Sequence, residues 1–163
     1  MSLSNVQPPI HYEVVGLVET VRSLLKMKGH DVWSIRPDAT VYEAIALMAE
    51  KSIGALIVLD RESIAGIISE RDYARNVILK GHSSKEIKVQ EIMTRSVVTV
   101  TSDHTVADCM YIMTHRRVRH LPVVDGGELK GVVSIGDIVR ATISAQADTI
   151  RHLSSYIKGD YPV

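Results

Sequence analysis

Two seven-residue phrases carry the groups most able to do chemistry: Gly66-Ile67-Ile68-Ser69-Glu70-Arg71-Asp72 and Gly131-Val132-Val133-Ser134-Ile135-Gly136-Asp137. Each offers a glycine, a serine and, three residues on, an aspartate. A serine followed at that spacing by an acid, just ahead of a helical pattern, is a capping box, in which the hydroxyl oxygen accepts one free backbone N–H and the carboxylate accepts another. The same groups suit a ligand. A carboxylate has two acceptor oxygens and can hold two neighbouring ribose hydroxyls, while a serine hydroxyl and the open N–H groups of a helix start suit a phosphate. A glycine on the preceding strand lets another group approach the backbone closely. Cap and ribose clamp compete for one aspartate, and both readings stand at this point.

The second informative segment is Arg116-Arg117-Val118-Arg119-His120-Leu121-Pro122. Cations near a helix C-terminus are favoured by its dipole, which accounts for Arg116 and Arg117. Arg119 and His120 directly precede an apolar strand, and phosphate contact is the functional reading for them. The corresponding residues of the first phrase's unit are Gly54-Ala55, so the two halves are chemically unequal.

The phrases lie in a duplication. Displacing the chain on itself by 65 positions aligns Val32–Arg75 with Val97–Arg140 without a gap and matches Asp38/Asp103, Thr40/Thr105, Met48/Met113, Asp60/Asp125, Asp72/Asp137 and Arg75/Arg140, among others. An ungapped register of that length points to one unit written twice. In each copy a short strand (Val32–Ile35 in the first) is followed by a capped helix. Thr40-Val41-Tyr42-Glu43 and Thr105-Val106-Ala107-Asp108 have the capping spacing, and Val41, Ala44, Ile45, Met48 and Ala49 recur on one helical face. Cys109 falls on the equivalent face of the second helix, where a packed thiol is the reading. Two β-branched runs then flank a tight turn, Asp60-Arg61-Glu62 or Asp125-Gly126-Gly127, and form a hairpin. A closing helix follows, from Glu70 to about Leu79 and from Ile135 to about Ile157.

The fold class is therefore α+β: two βαββα repeats packed about a pseudo-twofold axis, with flanking N- and C-terminal helices. The expected boundaries are an N-terminal segment, 1–19; repeat 1 with its leading helix, 20–80; a linker, 81–88; repeat 2, 89–140; and a C-terminal helix and tail, 141–163. The leading helix rests on the spacing of Leu17, Val18, Val21, Leu24 and Leu25 up to Gly29. At the other end Ile143, Ala147, Ile150, Leu153 and Ile157 form an apolar stripe, which either pairs with a second copy or packs back on its own module.

Composition bounds the function. The chain has 163 residues, 45% of them hydrophobic, with no Phe and one Trp, so its core is aliphatic. Nineteen basic residues balance nineteen acidic ones, which argues against binding nucleic acid through a general positive field. One cysteine forms no internal disulfide, no apolar run approaches the roughly 20 residues of a membrane span, and no secretory signal is evident; a cytoplasmic protein without membrane association is expected. The histidines show no metal-binding spacing and no nucleophile motif is present, so neither a metal nor catalysis is expected.

The repeated unit, the two Gly-x-x-Ser-x-x-Asp phrases and Arg119-His120-Leu121-Pro122-Val123-Val124-Asp125 resemble a tandem pair of CBS domains, the Bateman module, over about Val32–Arg140. Ser69-Glu70-Arg71-Asp72 and the flanking helices are similar to those of small stand-alone members. The resemblance implies a non-enzymatic sensor that binds an adenosine-containing ligand such as AMP, ADP, ATP or NAD in the cleft between repeats, and that forms a homodimer. It implies that Asp72 and Asp137 hold ribose hydroxyls, and that Ser69 and Ser134 lie beside ribose or phosphate. Arg71 belongs to the same binding set. Arg119 and His120 contact phosphates, paired with Asp72. Gly54 and Ala55 depart from the basic pattern. The alternative is a protein- or RNA-interaction adaptor that uses Arg116–Arg119.

Overall fold

The computed structural model describes residues 4–5 and 19–158, the side chains of 4, 5, 156 and 158 excepted. In chain order the elements are β1 (Ser4–Asn5), α1 (Val21–Lys28), β2 (Ser34–Ile35), α2 (Val41–Lys51), β3 (Ala55–Asp60), β4 (Ser63–Ser69), α3 (Glu70–Tyr73), a π-helical stretch (Ala74–Ile78), α4 (Val89–Ile92), β5 (Val98–Thr99), α5 (Val106–Arg116), β6 (His120–Asp125), β7 (Glu128–Ser134) and α6 (Ile135–Lys158). The strand, helix, strand, strand, helix order occurs twice, and the class is α+β.

One compact unit is built on Asp31–Val98. Helix α2 starts because Thr40 accepts the Glu43 amide at 3.2 Å while the Glu43 carboxylate accepts the Thr40 N–H at 2.7 Å, the reciprocal box its sequence announces. Its apolar stripe, Val41, Ala44 and Met48, is buried with Leu56 and Val58 of β3 and with Ile68, Val77, Val89 and Met93. Strand β2 runs parallel to β3, and β3 pairs antiparallel with β4 from Ala55↔Ser69 to Asp60↔Ser63. The leading strand is shorter than its sequence suggests: only Ser34 and Ile35 join the sheet. The closing helix also differs from a uniform α-helix. It is α-helical for four residues and then widens into π turns.

The other unit is built on Thr99 onward together with the segment that ends at His30. Its hairpin, β6 with β7, repeats the first one in register, from His120↔Ser134 to Asp125↔Glu128, including a bulge at the equivalent place. The two-residue turn uses Gly126 and Gly127, both at positive φ, as a tight hairpin of this twist requires. Cys109 is fully buried on α5, and burial pushes its thiol up to about 12. It is the packed, inert thiol that its place on the apolar face suggests.

Helix α1 belongs to this second unit, although its place in the sequence groups it with repeat 1. Backbone bonds make the assignment. Val21 N donates to His104 O at 2.8 Å, Arg22 N to Ser102 O at 3.0 Å and Val106 N to Glu19 O at 2.8 Å. Leu25 then lies on β7 so closely that a Cβ at Gly131 would stand 2.8 Å from its Cδ2. In the first unit the equivalent Gly66 is covered by Thr94 O, 2.8 Å from such a Cβ, and by the Met93 sulfur at 2.9 Å. The close approach that these glycines permit is made by the chain itself.

Gly66→Ala should therefore cost about 1–3 kcal/mol, because its new methyl meets a backbone carbonyl that is itself bonded to Ile67. Gly131→Ala should cost less, since the leucine methyl it meets can rotate. Urea unfolding of both variants against the parent checks the order.

Candidate functional site

Each hairpin delivers its last strand residue, a serine, directly into a helix. In the first unit the Glu70 amide is satisfied by Gly54 O at 3.1 Å, and in the second the Ile135 amide by Arg119 O at 2.8 Å. The two helix starts thus have the same backbone. Only their side chains differ.

At the first start, Asp72 Oδ2 accepts both the Ser69 N–H and the Ser69 hydroxyl, each at 2.8 Å, and Ser69 Oγ lies 3.4 Å from the Asp72 amide. The cap is formed. Asp72 is half-buried, and among the described residues it makes no ion pair; its second oxygen, Oδ1, accepts nothing. Ala55 stands opposite Ser69 in the ladder. Arg71 is exposed beside it.

At the second start, Asp137 Oδ2 accepts the Ser134 N–H at 2.8 Å, and the Asp137 amide lies 3.3 Å from Ser134 Oγ. Two cations are added. Lys28 Nζ reaches Oδ2 at 2.6 Å, and Arg140 Nη2 reaches Oδ1 at 2.6 Å; the carboxylate side chain is 5% exposed. Burial pushes the Asp137 carboxyl up, but hydrogen bonds from Lys28 and Ser134, with the Lys28 charge, outweigh it and hold the group below the usual range. His120 stands opposite Ser134, and Arg119 immediately precedes it, exposed. The basic pair and the second serine–aspartate pair are therefore brought together within one unit.

Lys28 and Arg140 are the site residues that sequence reasoning missed. Arg140 carried a signal, its identity with Arg75 across the repeat. Arg75 makes no pair with Asp72 among the described residues, although the backbone between them, Tyr73 and Ala74, is α-helical. Lys28 carried none beyond its place in the last turn of a helix, since the contact it makes is 109 residues distant.

A further difference opens a cavity of about 650 Å³ at the turn end of the first hairpin, lined by Arg36, Asp38, Asp60, Arg61 and Gln90 over Ile35, Pro37 and Leu59. In the second unit the matching corner is closed: Asp125 accepts the Ser102 N–H at 2.9 Å and the Ser102 hydroxyl. Pro37 replaces Ser102 in the repeat and has neither donor, so Asp60 lacks that bond. This cavity lies at the other end of β3 from Ser69, roughly 17 Å along the strand at ~3.4 Å per residue, and contains none of the residues singled out from the sequence. Among the described residues no group of His, Cys, Asp and Glu could hold a metal ion, and no helix is long and apolar enough to cross a membrane.

His120 gives a pH prediction. Burial lowers its pKa below the ordinary 6.5; Asp137 opposes this, while Lys28 and Arg119 add to it. Since the folded state resists protonation, the stability from His120 is complete above about pH 6.5 and is lost as pH falls toward the depressed folded value. Melting temperatures from pH 7.5 to 5 should decline, and His120→Gln should flatten that decline.

The CBS domain profile matches residues 21–78 and again 89–144. The CBS domain-containing protein CBSX3, mitochondrial, of Arabidopsis thaliana is 38% identical over 98% of this chain and 82% of its own length. A solved structure from Burkholderia ambifaria MC40-6, provisionally described as a signal-transduction protein with CBS domains, is 49% identical, with a TM-score of 0.75 over 77% of this chain and 94% of that one. A hexameric CBS-CP12 protein from bloom-forming cyanobacteria is 32% identical, with a TM-score of 0.68 over 76% of this chain and 67% of its own. Two successive matches to one domain, on two units of the same topology with the same serine–aspartate helix start, place this chain in the CBS-domain family of regulatory and signal-transduction modules.

Proposed function

We propose that this chain is a non-enzymatic sensor that binds an adenosine-containing nucleotide, AMP, ADP, ATP or NAD, through the serine–aspartate helix starts. The carrying observation is Asp72: its cap uses one carboxylate oxygen and leaves Oδ1 uncommitted on a half-buried side chain at a helix start. That is what a ribose diol requires, because a charged acceptor already oriented by its own backbone loses little freedom on accepting a hydroxyl. Arg119 and His120 supply cationic and hydrogen-bonding capacity for phosphate beside Ser134. The single buried thiol fits a reducing compartment, the cytoplasm in the first instance.

Signal output needs a second surface, and α6 provides one. Val139, Ile143, Ile150, Leu153 and Ile157 are 50% to 83% exposed. With Gln146 they follow a 4-3-4-3-4 spacing, the a/d seam of a coiled coil, with isoleucine at each a position. The charged pair of this stretch, Asp148 with Arg151, falls at the f and b positions, off the seam. A second copy of α6 is the occupant that fits. Gln146 would meet its twin and, as both donor and acceptor, set the register. A regulated partner protein would read the dimer.

Thermal shift and calorimetry with AMP, ADP, ATP and NAD test the sensor. Saturation at about 100 times the dissociation constant should add roughly 2.7 kcal/mol to stability, and silence toward every nucleotide at millimolar concentration would sink it. Asp72→Ala should cost about 1.5–3 kcal/mol of affinity as charge-assisted bonds to ribose are lost, against about 1 kcal/mol of stability for the cap; loss of stability with unchanged affinity refutes the clamp. Light scattering should find a dimer, and Ile150→Asp should give a folded monomer.

A further inference from the structure

We infer that Lys28 is an internal occupant of the second helix start, so that a ribose diol is accepted at Asp72 and excluded at Asp137. The inference rests on the nucleotide reading and narrows it to one site per chain.

The two aspartates differ in what is left to give. Asp137 Oδ2 is committed to the Ser134 N–H and the Lys28 ammonium, and Oδ1 to the Arg140 guanidinium. A diol needs at least one uncommitted oxygen, as Asp72 offers, and Asp137, on a side chain that is 5% exposed, has none. Its arrival would expel Lys28 from a partly buried position and leave that ammonium without its counter-ion. Hydroxyl groups are weaker donors to a carboxylate than the cations they would displace. Asp72 has no such competitor among the described residues.

The lysine is held where it is by packing rather than by its charge alone. Leu25 presses on Gly131, and the helix is tied at its start by the backbone bonds of Val21 and Arg22. One turn on, Lys28 donates to Val132 O at 2.7 Å as well as to Asp137. In the first unit the matching residue, Ile67, is instead bonded through its backbone to Thr94, N to O at 3.0 Å and O to N at 2.9 Å. A main-chain bridge there replaces the lysine, and no ammonium is delivered to Asp72. The ion pair thus converts a duplicated site into a single one.

Calorimetry with AMP on the full chain tests this. The parent should bind one AMP per chain, and Asp72→Asn should weaken that binding by about 10- to 150-fold. Lys28→Met combined with Arg140→Gln should raise the stoichiometry to two, with the new site removed by Asp137→Asn. Lys28→Arg should retain one. Where the methionine variant does not fold, Lys28→Gln, which keeps a donor for Val132 O, takes its place. A parent that binds two AMP, or a Lys28 and Arg140 variant that still binds one, overturns the role of Lys28 and leaves the sensor standing. Silence of parent and variants alike toward AMP, ADP, ATP and NAD overturns both.

Discussion

The structure depends on one reciprocal hydrogen-bonded arrangement: a hydroxyl residue that ends an extended segment, and an acid three residues later that folds back onto its N–H. It occurs at Thr40–Glu43, Ser69–Asp72, Thr105–Asp108 and Ser134–Asp137. Each satisfies donors that a helix start otherwise leaves to solvent. In the two that follow a hairpin, the arrangement also presents an anion at a fixed point of each unit. Function is then decided by which atoms reach that anion.

Much of the fold was legible because it is local. Capping pairs, the 3.6-residue stripe of Val41, Ala44 and Met48, and the turn Asp125-Gly126-Gly127 are written within a few residues of where they act. The register of the two hairpins follows from the duplication, and the burial of Cys109 from its place on an apolar face. The candidate serines and aspartates were legible for the same reason. What escaped was long-range. Nothing near Lys28 announces that it ends on Asp137, and nothing in the order of the chain shows that α1 packs with the later unit. The role of Gly66 and Gly131 was legible only in half: a close approach was implied, but its agent, Thr94 in one unit and Leu25 in the other, depends on tertiary packing.

Divergence between the halves follows a physical pattern. Backbone-level features persist, including the bulge at Val58/Leu59 and Val123/Val124 and the closure of each helix start by a carbonyl. Side chains that do not enter the core have changed freely. Ser102 faces Asp125 where Pro37 faces Asp60, and His120 faces Ser134 where Ala55 faces Ser69. A duplicated framework can therefore carry two unlike surfaces without a change in how it is built.

The π-helical stretch after Asp72 shows how far this goes. Arg75 and Arg140 are the same residue at the same place in the internal alignment, yet Arg140 neutralises its aspartate and Arg75 does not. The backbone between Asp72 and Arg75 is α-helical, so that difference lies in the side chains, and the wider turn redirects only the residues beyond it. Identity across the internal alignment therefore carries a side chain's chemistry but not its contacts.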